Sequence, residues 1–136
     1  MGNPGVQSFE DLEVWRAARQ VVHAVYALSR EAGLARDFGL CGQVQRAAVS
    51  IMSNVAEGFE RLHVPEKLQF YNSARGSSAE VRSLLYVVED NYPSLAARSA
   101  SLRQDVIRVG KLLTGLIQST QQRKQPQKNL YSTPNS

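Results

Sequence analysis

What constrains this chain most is a pattern of apolar residues recurring at alternating steps of three and four in four separate segments, the mark of helices that each bury one stripe. In about residues 9–31 the stripe is Val14, Ala18, Val21, Val25 and Leu28, flanked by Trp15, Val22 and Tyr26. In residues 38–60 it is Val44, Ala48, Ile51 and Val55, continued at the same spacing by Gly58 and Leu62. In residues 65–90 it is Phe70, Ala74, Ser77, Val81, Leu84 and Val88. A last segment, beginning somewhere in 94–102 and ending near 122, lines up Leu102, Val106, Val109, Leu113 and Leu116. No run alternates with the period of two that a half-buried strand needs.

Local signals place the helix ends. Ser8 followed three residues later by Asp11 reads as a capping box, and Glu10, Asp11 and Glu13 complement the positive start of a helix. Gly33 is a natural stop, Pro65 suits a first helical position, and Asn91-Tyr-Pro-Ser94 ends the third segment. Short connections make consecutive helices antiparallel neighbours, so the expectation is an all-α, antiparallel up-down-up-down four-helix bundle over residues 9–122. Residues 1–8 read as a flexible lead, and residues 123–136, rich in Gln, Lys, Asn, Ser and Pro, as a disordered basic tail.

Length and charge narrow the function. A chain of 136 residues is the size of one domain and needs no metal or disulfide to hold a core. Cys41 is the only cysteine, so no intramolecular bridge is possible, and a reducing cytoplasm is the expected setting. No stretch of about 18 uncharged apolar residues occurs, which argues against a membrane span. The net charge of +4 comes mainly from the tail: of 16 Lys plus Arg, three (Arg123, Lys124 and Lys128) lie beyond residue 122 with no acid, leaving 13 against 12 acids before it. Twelve of the 16 bases are Arg, the residue suited to bidentate pairing with phosphate or carboxylate.

The polar residues carry the most information. Gln43, Ala47, Ser50, Asn54 and Glu57 recur at steps of four and three and form one narrow stripe beside the core stripe of the second segment, with Arg46 at its edge. The third segment has a partial counterpart in Ser73, Gly76 and Glu80, with Ser77 inside its apolar line. One reading is a hydrogen-bonded seam in which Arg46 pairs with Glu80 or Glu57 and fixes helix register or a subunit interface. The other is a surface on which Arg46 and Arg61 meet phosphate and Asn54 adds a hydrogen bond. A plain solvated face is the third. Glycines inside helices cost about 1 kcal/mol each relative to Ala. Close packing is the expected reason for Gly58, Gly76, Gly110 and Gly115.

A catalytic set is hard to find. His23 and His63 are the only histidines and neither lies in a metal-binding spacing, so no metal and no cofactor is expected. Cys41 has no histidine placed by sequence to activate it and reads as a small apolar residue. No phosphate loop or dinucleotide fingerprint occurs, and Trp15 reads as a packing anchor rather than a base-stacking platform. The residues alone describe a non-enzymatic bundle, prone to self-association, with no small-molecule substrate.

The run Gly39-Leu-Cys-Gly-Gln-Val-Gln-Arg-Ala-Ala-Val-Ser-Ile-Met-Ser-Asn-Val-Ala-Glu-Gly58 closely resembles the core signature of the four helix bundle proteins encoded in intervening sequences of bacterial large-subunit ribosomal RNA genes. The opening Phe9-Glu-Asp-Leu-Glu-Val-Trp15 is similar to that family's start. Phe70-Tyr-Asn-Ser-Ala-Arg-Gly-Ser-Ser-Ala-Glu80 is similar to its third helix, with an aromatic, a Gly-Ser pair and a Glu. The resemblance spans about residues 8–120 and implies a four-helix protomer, a homopentameric ring and no catalytic activity. Its motif positions here are Gln43, Arg46, Ser50, Asn54, Glu57, Gly58, Gly76, Ser77 and Glu80, read as structural or assembly residues. A related group, the accessory proteins of diversity-generating retroelements, works with nucleic acid, which makes RNA or DNA the expected partner by analogy. Arg46, Arg61, Arg123, Lys124 and Lys128 are the candidate contacts. The alternative is a protein-binding scaffold without nucleic-acid affinity.

Overall fold

Each of the four apolar segments forms a helix with one buried face in the computed structural model, which describes residues 5–132, with side chains from 5 to 123. The helices are α1 (Glu13–Ser29), α2 (Phe38–Glu60), α3 (Val64–Asn91) and α4 (Ala96–Ser132), with single 3₁₀ turns at Phe9–Asp11, Leu34–Arg36 and Pro93–Leu95. Among the described residues there is no strand. α2 packs on α3, α3 on α4, and α1 on both α2 and α4. All four contribute to one apolar core, in which Val21, Ile51, Val55, Val81, Leu85, Val106 and Leu113 are at most 1% exposed.

The helix ends follow from the chemistry at each. The Asp11 carboxylate accepts hydrogen bonds from the backbone N–H of Gln7 (2.9 Å) and Ser8 (3.2 Å). Those two bonds hold its pKa below the ordinary value. They tie Gln7 and Ser8 to the fold, where the sequence suggests a free segment through residue 8. Residues 1–4 lie outside the described part. The signal at Ser8 opens a 3₁₀ turn, and α1 begins only after Leu12. Gly33 has φ 89°, a left-handed conformation that a side chain would strain, but α1 ends earlier, at Ser29, and Gly33 opens the Leu34–Arg36 turn instead of stopping the helix.

Asp37 caps α2, its carboxylate accepting from the Leu40 N–H at 3.1 Å and from the Tyr92 hydroxyl at 2.8 Å. The bond to Asp37 is the main cause that raises the Tyr92 phenol above its ordinary pKa, with burial adding to it. One carboxylate thus starts α2 and pins the α3–α4 connection. Replacing Asp37 by Ala should cost about 1–2 kcal/mol, seen as a lower denaturation midpoint at unchanged slope.

Two expectations are corrected. In α3 the buried residues are Tyr71, Ala74, Ser78, Val81, Leu85 and Val88, so Tyr71, Ser78 and Leu85 replace Phe70, Ser77 and Leu84. Alternate members of the stripe move by one position because steps of three and four fit either choice, and packing against α2 and α4 decides. In α4 the same effect buries Ile117 rather than Leu116. The second concerns Leu62, placed by spacing in the stripe of α2: it lies past the end of that helix and is 88% exposed. Helix α4 is assigned as far as Ser132. The side chains of residues 124–132, within the segment read as a tail, lie outside the described part. Residues 133–136 lie outside the described part.

Candidate functional site

The seam between α2 and α3 is where the polar stripe lies. The hydroxyls of Ser50 and Ser77 meet at 2.8 Å across it. The Asn54 amide donates to the Ser50 backbone oxygen (2.8 Å) and to its hydroxyl (3.0 Å), closing a small network. Ala47 is buried beside it, and these small side chains let the two backbones come close. The approach is tightest at Gly58. A Cβ there would stand 2.6 Å from Cε1 and 2.9 Å from Cδ1 of Tyr71, and 3.0 Å from Cβ of Phe70. Tyr71 fills the space that the glycine leaves, and burial pushes its phenol up to about 12. Close packing therefore accounts for Gly58. It does not account for Gly76 or Gly115, whose Cβ positions face open space, and at Gly110 only the Ser78 hydroxyl comes near, at 3.8 Å.

Not every member of the stripe joins the network. Gln43, Glu57, Gly76 and Glu80 are exposed. The expected pairing of Arg46 with Glu80 or Glu57 is not formed among the described residues. The Arg46 guanidinium instead folds along its own helix, 3.0 Å from where a Cβ on Gly42 would sit. Eleven residues separate it from Glu57, roughly 16 Å of helix axis, which is beyond a direct ion pair. Glu57 has Arg61 as its partner one turn on, at 4.0 Å.

The candidate phosphate contacts differ in setting. Arg46 is exposed with no ion pair among the described residues. Arg61 lies over the Phe70 ring at 4.6 Å and shares a surface pocket with Glu57 and Glu60, acids that would repel phosphate. Arg123 is exposed and donates to the Thr120 hydroxyl at 3.3 Å. Its charge, after burial, is the second cause that lowers the pKa of Lys67, whose ammonium donates to the Phe59 carbonyl at 2.7 Å where α2 ends. The side chains of Lys124 and Lys128 lie outside the described part.

The remaining titratable candidates have plain environments. His23 and His63 are exposed. Cys41 is buried, its thiol donating to the Leu34 carbonyl at 3.1 Å, so it satisfies backbone in the α1–α2 connection as well as packing.

One group of cations escapes a reading along the chain. Between α3 and α4 runs a shallow groove of about 280 Å³ in which Arg75, Arg82 and Lys111 stand around the hydroxyls of Ser78 and Thr114. None of its lining residues is acidic. Elsewhere on the same helix pair Glu89 is engaged with Arg103 at 2.6 Å, and that guanidinium stacks on the Tyr86 ring, 4.0 Å from its centre. Arg75 and Arg82 are seven apart on α3 and share a flank, a signal present in the sequence. Only the pairing of α3 with α4 brings Lys111 to them.

No curated protein matches the chain. A family model described as 23S rRNA-intervening sequence protein matches residues 10–115, the stretch that holds α1 to α3, most of the described part of α4 and the whole Ser50–Ser77 seam. The chain belongs to the 23S rRNA-intervening sequence protein family.

Proposed function

We propose that the protein is a non-enzymatic, cytoplasmic scaffold whose protomers, four helices in up-down-up-down order, associate as a homopentamer and bind RNA or DNA through phosphate. The helix order is supported by ion pairs along α1 and α4. Glu13 near the start of α1 meets Arg108, and Glu31 just past its end meets Arg98. Self-association is supported by exposed apolar side chains, Phe38 at 81% and Leu62 at 88%. The observation that carries the nucleic-acid reading is the uneven use of arginine. Arg61, Arg98, Arg103 and Arg108 are paired with acids, whereas Arg46, Arg75, Arg82, Lys111 and Arg123, like Arg16, Arg19, Arg30 and Arg36, have no ion pair among the described residues. Free guanidinium groups are what a phosphate backbone requires.

Arg123, Lys124 and Lys128 add charge at one end of each protomer, and a ring would gather five such sets, turning weak contacts into avidity. Replacing the three together by Gln should lower RNA affinity about tenfold at about 100 mM salt, measured by titration of a labelled RNA. Unchanged binding would remove the tail from the site. The rival reading, a scaffold for another protein, draws on the same exposed Phe38 and Leu62, and binding that ignores salt would favour it.

A further inference from the structure

We infer that the α3–α4 groove is a site for single-stranded nucleic acid, with phosphates held by Arg75, Arg82 and Lys111 and one base stacked at Tyr86. This rests on the nucleic-acid reading above and assigns it a place and a kind of strand. Arg75 and Arg82 are seven residues apart on one flank of α3, about 10 Å along the axis. At an axial rise of about 3.4 Å per nucleotide, that length of α3 spans roughly three nucleotides. Lys111 lines the same groove from α4, while Ser78 is buried and the Thr114 hydroxyl donates to the Gly110 carbonyl at 3.1 Å, so the three cations carry the phosphate contacts. Gly110 keeps the floor low enough for a backbone to settle, and no acid lines the groove.

The strand preference comes from what lies at the groove's end. One turn past Arg82 on the same flank is Tyr86, 52% exposed, with the Arg103 guanidinium stacked 4.0 Å from its ring centre. Aromatic rings and guanidinium planes are what unstacked bases lie against, and a charged groove with an aromatic beside it is the usual single-strand arrangement. A duplex keeps its bases stacked inside and has no use for Tyr86. Glu89, bonded to Arg103, places negative charge at the Tyr86 end, so phosphates belong toward Arg75 and a base toward Tyr86.

The test is a fluorescence-anisotropy titration of the full chain with a labelled uridine oligomer of about 12 nucleotides, and with a duplex of about equal charge, at about 50 and 200 mM salt. The single strand should bind about tenfold or more tightly than the duplex. Replacing Arg75, Arg82 and Lys111 together by Ala should weaken single-strand binding by about 10- to 100-fold and lower the salt slope by about two. Tyr86→Ala should weaken it by about 5- to 150-fold at unchanged slope, while Tyr86→Phe keeps the affinity. All four positions are exposed, and thermal melting of the variants checks that they fold. Equal or tighter duplex binding overturns the strand assignment. Wild-type affinity in the triple variant overturns the groove and leaves the broader reading standing. Failure of the wild type to bind any nucleic acid at the lower salt removes both, and displacement of the strand by poly-glutamate at matched charge would make the groove an acidic-peptide site instead.

Discussion

Gly58→Ala is expected to destabilise the protein by about 1–3 kcal/mol, although the same change in an unobstructed helix gains about 1 kcal/mol of helix propensity. The added methyl would stand 2.6 Å from a ring carbon of Tyr71, and that ring is 1% exposed and cannot swing away. Retreat on the other side is blocked by Phe70, whose Cβ is 3.0 Å from the same point. α2 and α3 would have to separate, stretching the 2.8 Å contact between Ser50 and Ser77. Thermal melting should show a fall of about 4 °C per kcal/mol for a domain of this size. Gly76→Ala and Gly115→Ala are internal controls of opposite sign. Nothing lies within 4 Å of either Cβ position, so each should gain about 0.5–1 kcal/mol. Adding Tyr71→Leu to Gly58→Ala should recover part of the loss, because the two positions share one volume and their effects do not add. A stabilised Gly58→Ala protein would mean that the helices are not packed as closely as described.

Leu85→Ala should cost about 2–5 kcal/mol and Leu84→Ala less than half of that. The pair has the same chemistry one residue apart. Leu85 is 0% exposed, and its carbonyl accepts the buried Ser99 hydroxyl at 2.6 Å, so truncation opens a cavity where α3 meets α4. Leu84 is half-buried and packs on the edge of the core, where neighbours and water can close over the gap. Denaturant titration of the two variants reads the difference directly. Equal losses would contradict the assignment of α3's buried face.

That contrast also marks how far the fold is legible in the chain. The α1 stripe, Val14, Ala18, Val21, Val25 and Leu28, is buried in full, and α2 spans residues 38–60 as its apolar spacing indicates. Trp15, Val22 and Tyr26 flank the α1 stripe without displacing it. In α3 the stripe has an aromatic or Leu neighbour at two of its positions, Phe70 beside Tyr71 and Leu84 beside Leu85. Local pattern cannot rank such pairs. The partner does: Gly58 on α2 leaves room for a ring, and Tyr71 takes it.

Sites divide in the same way. Ser50, Asn54 and Ser77 come together because helical spacing puts each on a flank and small residues bring the flanks into contact. The Arg46 pairing fails because residue type and face say nothing about which rotamer a long, exposed side chain adopts. The cations of the α3–α4 groove were out of reach for a third reason. Arg75 and Lys111 are 36 residues apart, on different helices, and are joined only by tertiary packing.

The measurement that bears most directly on the proposed assembly and phosphate binding is mass in solution by light scattering, with and without a short structured RNA carrying single-stranded loops, at low and high salt. A mass near five protomers that rises with RNA only at low salt is the predicted result, since contacts to phosphate release counterions and weaken as salt increases. A monomer, or a pentamer whose mass RNA leaves unchanged at both salts, would contradict it.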